Sequence, residues 1–82
     1  MQGMQKYEQV AGFADRLNEV ILCKKFSYRE FAKKIGCTVS PVKSWVNGES
    51  MPRSELLARI CIELDVSADY LLFGKKHEDV YT

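Results

Sequence analysis

Apolar residues along the chain recur at helical rather than strand spacing. Between residues 10 and 21 they fall three or four apart, which places them on one stripe of a first amphipathic helix. These positions are Val10, Phe13, Ala14, Leu17, Val20 and Ile21. No stretch alternates convincingly with period two, so the pattern predicts an all-α domain.

Residues 27–36 predict a short second helix with a signal at each end. Ser27 and Glu30 have the spacing of a capping box, in which each side chain bonds the backbone amide of the other residue. Phe31 and Ile35 continue the apolar stripe behind this start. Gly36 stands where the helix must end, because glycine adopts the left-handed cap conformation without steric cost.

A third short helix is predicted after a tight turn. Thr38 or Ser40 can cap its start, and Gly48 ends it. Val42 and Trp45 are three residues apart and therefore share one face, which we expect to enter the core. Any small helical domain contains packed helix pairs, so periodicity alone leaves an ordinary pair equally open.

Two further helices complete the predicted scaffold. Ser54 is the expected cap of a fourth helix, and Ser67 begins a short fifth helix that Gly74 closes. The fourth helix has four positions at inward-facing spacing, which are Leu57, Ile60, Cys61 and Leu64.

Length limits the chain to one small domain. It has 82 residues and no apolar run approaching the about 20 residues that span a membrane. We expect a domain over residues 10–74, an N-terminal extension over residues 1–9 and a short C-terminal tail over residues 75–82. The first residues lack the apolar core of a secretory signal, so the expected location is cytoplasmic, without membrane association.

Cysteine and histidine usage argues against metal sites and catalysis. Cys23, Cys37 and Cys61 are widely spaced without a C-x-x-C pair, and the single histidine is His77. We therefore expect reduced thiols and no metal, cofactor or small-molecule ligand. The only histidine lies in the tail, so the sequence shows no His-carboxylate, Cys-His or glycine-rich phosphate motif, and an enzyme is not expected.

Positive charge is concentrated on the two central short helices. The whole chain has a net charge of only +1, but residues 24–53 carry +5, against −1 for residues 1–23 and −3 for residues 54–82. Such a concentration is what attraction to phosphates requires, although a solvated basic face would look the same. The basic residues concerned are Lys24, Lys25, Arg29, Lys33, Lys34, Lys43 and Arg53.

Residues at fixed positions of the central helices match a known family. Tyr28, Ala32 and Gly36 occupy the first, fifth and ninth positions of a helix-turn-helix. Residues 45–48, which read W-V-N-G, correspond to its usual W-E-x-G ending. In this register the chain resembles the XRE-type family of phage repressors and Cro proteins over about residues 13–74. The resemblance implies an all-α, five-helix phage-repressor-like DNA-binding domain with the helix-turn-helix at helices 2 and 3.

The resemblance also implies roles for individual residues. The third helix would be the recognition helix, which enters the DNA major groove. Lys43 could then donate to guanine O6 and N7. The Tyr28 hydroxyl could contact a phosphate, or its ring could pack against Phe26. The expected base-contacting residues are Thr38, Val39, Ser40, Lys43 and Ser44. The expected phosphate-contacting residues are Ser27, Tyr28, Asn47 and Arg53.

Two positions depart from the family pattern. Many members pair an arginine in the first helix with a glutamate before the Asn-Gly, and this chain has Ile21 and Val46 there. We expect a packed apolar pair to replace the ion pair, because neither position then leaves a charge without a partner.

The leading hypothesis is a sequence-specific double-stranded DNA-binding transcriptional regulator, Cro-like or a small repressor, without catalysis. We expect no sensor domain, which favours the Cro-like or small-repressor interpretation. Because one domain makes few base contacts, a homodimer on a two-fold site is expected. Leu72, Phe73 and Tyr81 are the candidate dimer contacts. The alternative is an antitoxin-type or degenerate helix-turn-helix module that acts mainly through protein–protein interaction.

Overall fold

The computed structural model describes residues 12–74 and contains five α-helices there. They are α1 (Phe13–Cys23), α2 (Tyr28–Ile35), α3 (Val39–Val46), α4 (Ser54–Leu64) and α5 (Ala68–Phe73). Residues 12–74 contain no strand, so the predicted all-α class is confirmed. The predicted extension and tail lie outside the described residues, as do Val10, His77 and Tyr81.

A single apolar core joins all five helices. α1 packs against α3 and α5, α2 packs against α3 and α4, and α4 packs against α5. The predicted core positions Leu57 and Cys61 lie half-buried at the edge of this core. The pair α2–α3 is therefore held on both sides by the rest of the domain. The buried core residues are Phe13, Leu17, Ile21, Phe31, Ala32, Ile35, Val42, Trp45, Ile60, Leu64 and Leu71.

The predicted capping box at the start of α2 is confirmed. The Glu30 amide donates to the Ser27 hydroxyl oxygen at 3.0 Å, and the Ser27 amide donates to the Glu30 carboxylate at 2.9 Å. The bond from the Ser27 amide, followed by that of the Ser27 hydroxyl, lowers the pKa of the Glu30 carboxyl below its ordinary value. The start of α2 is thus fixed locally. Ser67 caps α5 as predicted and accepts a hydrogen bond from the Tyr70 amide at 3.0 Å.

Two other helix starts are less simple. The predicted cap at Ser54 is wrong, because Arg53 occupies the N-cap of α4 and Ser54 is the first helical residue. Of the two candidates for α3, Thr38 occupies the N-cap, although its side chain makes no capping hydrogen bond. The Thr38 hydroxyl is therefore not used in holding the end of its own helix.

A lysine adopts the left-handed conformation at the end of α1. Lys25 has a φ of 64°. Its amide donates to the Leu22 carbonyl at 2.9 Å, and the Phe26 amide donates to the Ile21 carbonyl at 3.2 Å, which is the Schellman pattern. A side chain in this conformation costs about 1–2 kcal/mol.

We expect Lys25→Gly to raise the free energy of unfolding by about 0.5–1 kcal/mol, because glycine removes this steric cost. Urea unfolding followed by circular dichroism measures the change. Lys24→Gly is the matched control, since it removes the same charge at the neighbouring residue, whose φ of −82° gives glycine no conformational advantage. That control should lower stability, and a less stable Lys25→Gly would contradict the account.

Candidate nucleic-acid interface

Three residues, Gly36, Cys37 and Thr38, connect α2 to α3. Gly36 has a φ of 82°, as its predicted capping role requires. The Cys37 amide then donates to the Ala32 carbonyl at 2.9 Å, which turns the chain sharply into α3. A Cβ added at Gly36 would lie 3.0 Å from Nη1 of Arg59. The left-handed backbone conformation therefore favours glycine at this turn, and a Cβ there would also require the Arg59 guanidinium to shift by a few tenths of an ångström.

Arg59 of α4 holds the carboxyl end of α2 in place. Its Nη1 donates to the Ile35 carbonyl at 3.2 Å, and its Nη2 lies 3.2 Å from the Glu55 carboxylate. A guanidinium at this position also complements the partial negative charge of the helix end. Sequence reasoning missed this contact. The four-residue spacing of Glu55 and Arg59 was its only signal, and such pairs are common on helix surfaces.

Two buried side chains determine which face of α3 is free. Val42 is fully buried and Trp45 is 3% exposed, as predicted. Ser40, Lys43 and Asn47 are exposed, and their spacing of three and four residues places them on one face. We call these three residues the outer face of α3. It is polar, carries a positive charge and leaves the helix available to a ligand on that side.

The five predicted base-contacting residues occupy the start of α3 and its outer side. Thr38, Ser40 and Lys43 are exposed, whereas Val39 and Ser44 are half-buried. An open groove of about 690 Å³ separates the first turn of α2 from the first turn of α3. The cap of α2 and the start of α3 both line this groove, together with the basic side chains Arg29 and Lys33. Its lining comprises Ser27, Arg29, Glu30, Ala32, Lys33, Cys37, Thr38 and Val39.

Three of the four predicted phosphate-contacting residues are exposed at helix ends. Ser27 caps α2, Asn47 occupies the C-cap of α3, and Arg53 occupies the N-cap of α4. All three side chains are thus accessible from solvent. Their roles toward phosphate stay predictions.

Tyr28, the fourth candidate, is tied to α1. Its hydroxyl donates to Oδ1 of Asn18 in a part-buried hydrogen bond. The ring that stacks on Phe26 is that of Phe31, with the centroids 6.4 Å apart. Because its hydrogen points at Asn18, the Tyr28 hydroxyl presents lone pairs outward, and a phosphate contact requires this hydrogen bond to be exchanged. No pattern in the sequence signals the partnership with Asn18.

Ser44 has a partner in the loop between α3 and α4. Its Oγ lies 2.7 Å from Oγ of Ser50, and either hydroxyl can be the donor. The Glu49 amide donates to the Ser44 carbonyl at 2.9 Å, after a turn at Gly48 with a φ of 78°. The loop is thereby folded back onto α3. Sequence reasoning identified Gly48 as the helix end but did not identify Ser50.

Apolar residues occupy both positions where the family pattern has an ion pair. Ile21 is fully buried, and Val46 is half-buried against the same core. Since α1 and α3 are in contact, the two residues stabilise the packing of α3 on the domain.

The remaining chemistry of the described residues is sparse. Cys23, Cys37 and Cys61 are free thiols, and burial raises the pKa of Cys37 and Cys61. Among residues 12–74, no group of His, Cys, Asp and Glu side chains is arranged to hold a metal ion.

The helices of the described part are too short or too polar to cross a membrane.

Comparison with known proteins identifies the family. A family model described as helix-turn-helix matches residues 23–71, which is more than half of the chain. An uncharacterized HTH-type transcriptional regulator of Haemophilus influenzae is 32% identical over 77 residues, or 94% of this chain and 32% of that protein. The uncharacterized HTH-type transcriptional regulator YqaE of Bacillus subtilis is 33% identical over 69 residues, or 84% of this chain and 60% of that protein. The chain thus spans less than two thirds of the length of either relative.

A solved structure supports the fold independently. The solution structure of the SOS-response transcriptional repressor LexA from Eubacterium rectale superposes with a TM-score of 0.75 at 22% identity. The superposition covers 87% of this chain and 73% of the other. The match of the family model over residues 23–71 is decisive: the chain belongs to the XRE-type helix-turn-helix family, and both relatives bear the name of HTH-type transcriptional regulators.

Proposed function

We propose that the chain is a sequence-specific regulator that binds double-stranded DNA with α3 in the major groove and acts as a small, Cro-like repressor. The outer face of α3 is the observation that carries this proposal. Buried Val42 and Trp45 anchor the helix from behind, so its exposed polar side is presented in a fixed orientation. A major groove is wide enough to admit one α-helix.

Direct readout would come from the start and outer side of α3. Lys43 is exposed and can donate to guanine O6 and N7. The hydroxyls of Thr38, Ser40 and Ser44 can donate or accept, and Val39 can contact a thymine methyl. These are few strong base contacts, so the shape and deformability of the DNA site would share the specificity.

Backbone contacts would flank this reading surface. Ser27, Asn47 and Arg53 lie exposed at three helix ends, where a phosphate meets side chains and, at the two N-caps, backbone amides. Tyr28 would join them after exchanging its hydrogen bond to Asn18. The balance of +5 over residues 24–53 adds long-range attraction.

The proposed working form is a homodimer on a two-fold site in the cytoplasm. One domain offers few base contacts, and helix-turn-helix dimers read half-sites about one helical turn apart. Two of the three proposed dimer residues end α5, where Leu72 is half-buried and Phe73 is 49% exposed. The third, Tyr81, lies outside the described residues.

Two alanine variants separate base readout from phosphate binding. We expect Lys43→Ala to relax the preference at one base pair by about tenfold, within the range for loss of one base contact. We expect Arg53→Ala to weaken binding to all sequences alike and to lower the slope of log K against log salt by about 1. Fluorescence anisotropy with a panel of duplexes at several salt concentrations measures both effects.

Lys34→Ala is the matched control, because it also removes one positive charge but lies outside the proposed base and phosphate contacts. The Lys34 ammonium lies 5.3 Å from the centre of the Phe26 ring. It should leave base preference unchanged. If neither Lys43→Ala nor Arg53→Ala changes affinity for any duplex, the chain is instead a helix-turn-helix module that acts through protein–protein interaction, as in an antitoxin.

A further inference from the structure

The geometry of the loop after α3 points to Ser50 as a positioning residue: we propose that Ser50 orients the hydroxyl of Ser44 and thereby helps to select the base pair that Ser44 reads. This inference rests on the proposed function. It deepens that function by adding a residue outside the recognition helix to the determinants of sequence preference.

The loop is held against Ser44 by two independent hydrogen bonds. The hydroxyl oxygens of Ser44 and Ser50 are 2.7 Å apart, and the Glu49 amide donates to the Ser44 carbonyl at 2.9 Å. The left-handed turn at Gly48, with a φ of 78°, brings the loop back to this position. The backbone turn that ends α3 therefore holds the Ser50 hydroxyl within hydrogen-bonding distance of Ser44.

Ser44 itself has a fixed position relative to the core. The next residue, Trp45, is 3% exposed and sets the rotation of α3 about its axis. Ser44 is half-buried beside exposed Lys43, so it lies at the edge of the outer face. The freedom that remains to Ser44 is the rotation of its side chain about χ1 and of its hydroxyl, and the bond to Ser50 restricts both.

The direction of a hydroxyl matters because base edges differ in their donors and acceptors. A free serine hydroxyl has one hydrogen and two lone pairs, so it can satisfy either kind of base edge. When Ser44 donates to Ser50, it offers the base lone pairs, which suit the amino groups of adenine and cytosine. When Ser50 donates to Ser44, the Ser44 hydrogen remains free for an acceptor such as guanine O6. In either case Ser50 occupies one bonding direction of the Ser44 hydroxyl, which limits the directions in which Ser44 can bond a base edge.

The test compares Ser50→Ala with Ser50→Thr in the full chain. After selection of a preferred duplex by the wild-type protein, affinities are measured for a panel in which each base pair is changed in turn. We expect Ser50→Ala to lower discrimination at one base pair by about threefold to tenfold, as loss of one oriented hydrogen bond implies. Threonine keeps a hydroxyl, so Ser50→Thr should retain the preference.

Ser44→Ala shows whether Ser50 acts through Ser44. We expect Ser44→Ala to reduce discrimination at the same base pair, and the double variant Ser44→Ala/Ser50→Ala to match Ser44→Ala alone. Ser54→Ala is the matched control, because Ser54 is also an exposed serine close in sequence, at the first turn of α4. It should leave the whole panel unchanged.

The possible outcomes separate this inference from the proposed function. If the wild-type protein shows no base preference, the proposed function fails. If the wild-type protein discriminates and Ser50→Ala discriminates equally well, the inference is overturned while the proposed function stands. A uniform loss of affinity for every duplex, with the salt slope unchanged, would make Ser50 an uncharged phosphate contact and would also overturn the inference.

Discussion

Replacing Trp45 with alanine is expected to lower the free energy of unfolding by about 3–5 kcal/mol, the usual cost of removing a buried tryptophan ring. Trp45 is 3% exposed and lies in the core on the inner side of α3. A small domain has a total stability of only about 5–15 kcal/mol, so this variant would lose a large part of it. Urea unfolding followed by circular dichroism measures the loss without relying on the fluorescence of the replaced residue.

Lys43→Ala is the control for this result, because it truncates an exposed side chain on the same helix. We expect it to change stability by no more than about 0.5 kcal/mol. Equal losses in the two variants would contradict the account, since the buried face of α3 would then hold the helix no better than its exposed face.

Val46→Glu is expected to lower the free energy of unfolding by about 1–3 kcal/mol. Val46 packs half-buried against the core that contains Ile21, so a carboxylate there would lose part of its hydration and find no cation at Ile21. Thermal and urea unfolding both report the change. Wild-type stability in this variant would refute the apolar replacement of the family's ion pair.

The double variant Ile21→Arg/Val46→Glu sharpens this test. It rebuilds the pair of charges found in many family members, and each single variant leaves one charge without its partner. We therefore expect the double variant to be more stable than the sum of the single losses predicts. Strict additivity would show that the two side chains do not interact.

Local chemistry made most of the fold predictable from the sequence. The capping box of Ser27 and Glu30 and the left-handed cap at Gly36 involve residues close in the chain, so their signals are complete within a few positions. The buried faces of α1 and α3 follow from periodicity alone. The start of α4 was misplaced by one residue because Arg53 occupies the cap without a side-chain bond, which leaves no sequence signal.

The contacts that refine the candidate site could not be predicted, because they join residues from different elements. Arg59 in α4 donates to a carbonyl at the end of α2, and Asn18 in α1 accepts a hydrogen bond from Tyr28 in α2. Ser50 meets Ser44 only after the loop has folded back at Gly48. Each partnership depends on the packed arrangement, and serine, asparagine and arginine are ordinary surface residues when considered alone.

The central claim is that α3 reads base edges in a DNA major groove, and selection from a pool of random duplexes tests it most directly. The account predicts enrichment of one sequence with two-fold symmetry and with half-sites about one helical turn apart. For that sequence, the logarithm of the binding constant should fall linearly with the logarithm of the salt concentration. Recovery of unrelated sequences that the protein binds equally weakly, or the absence of any enrichment, would contradict the claim that α3 reads base edges.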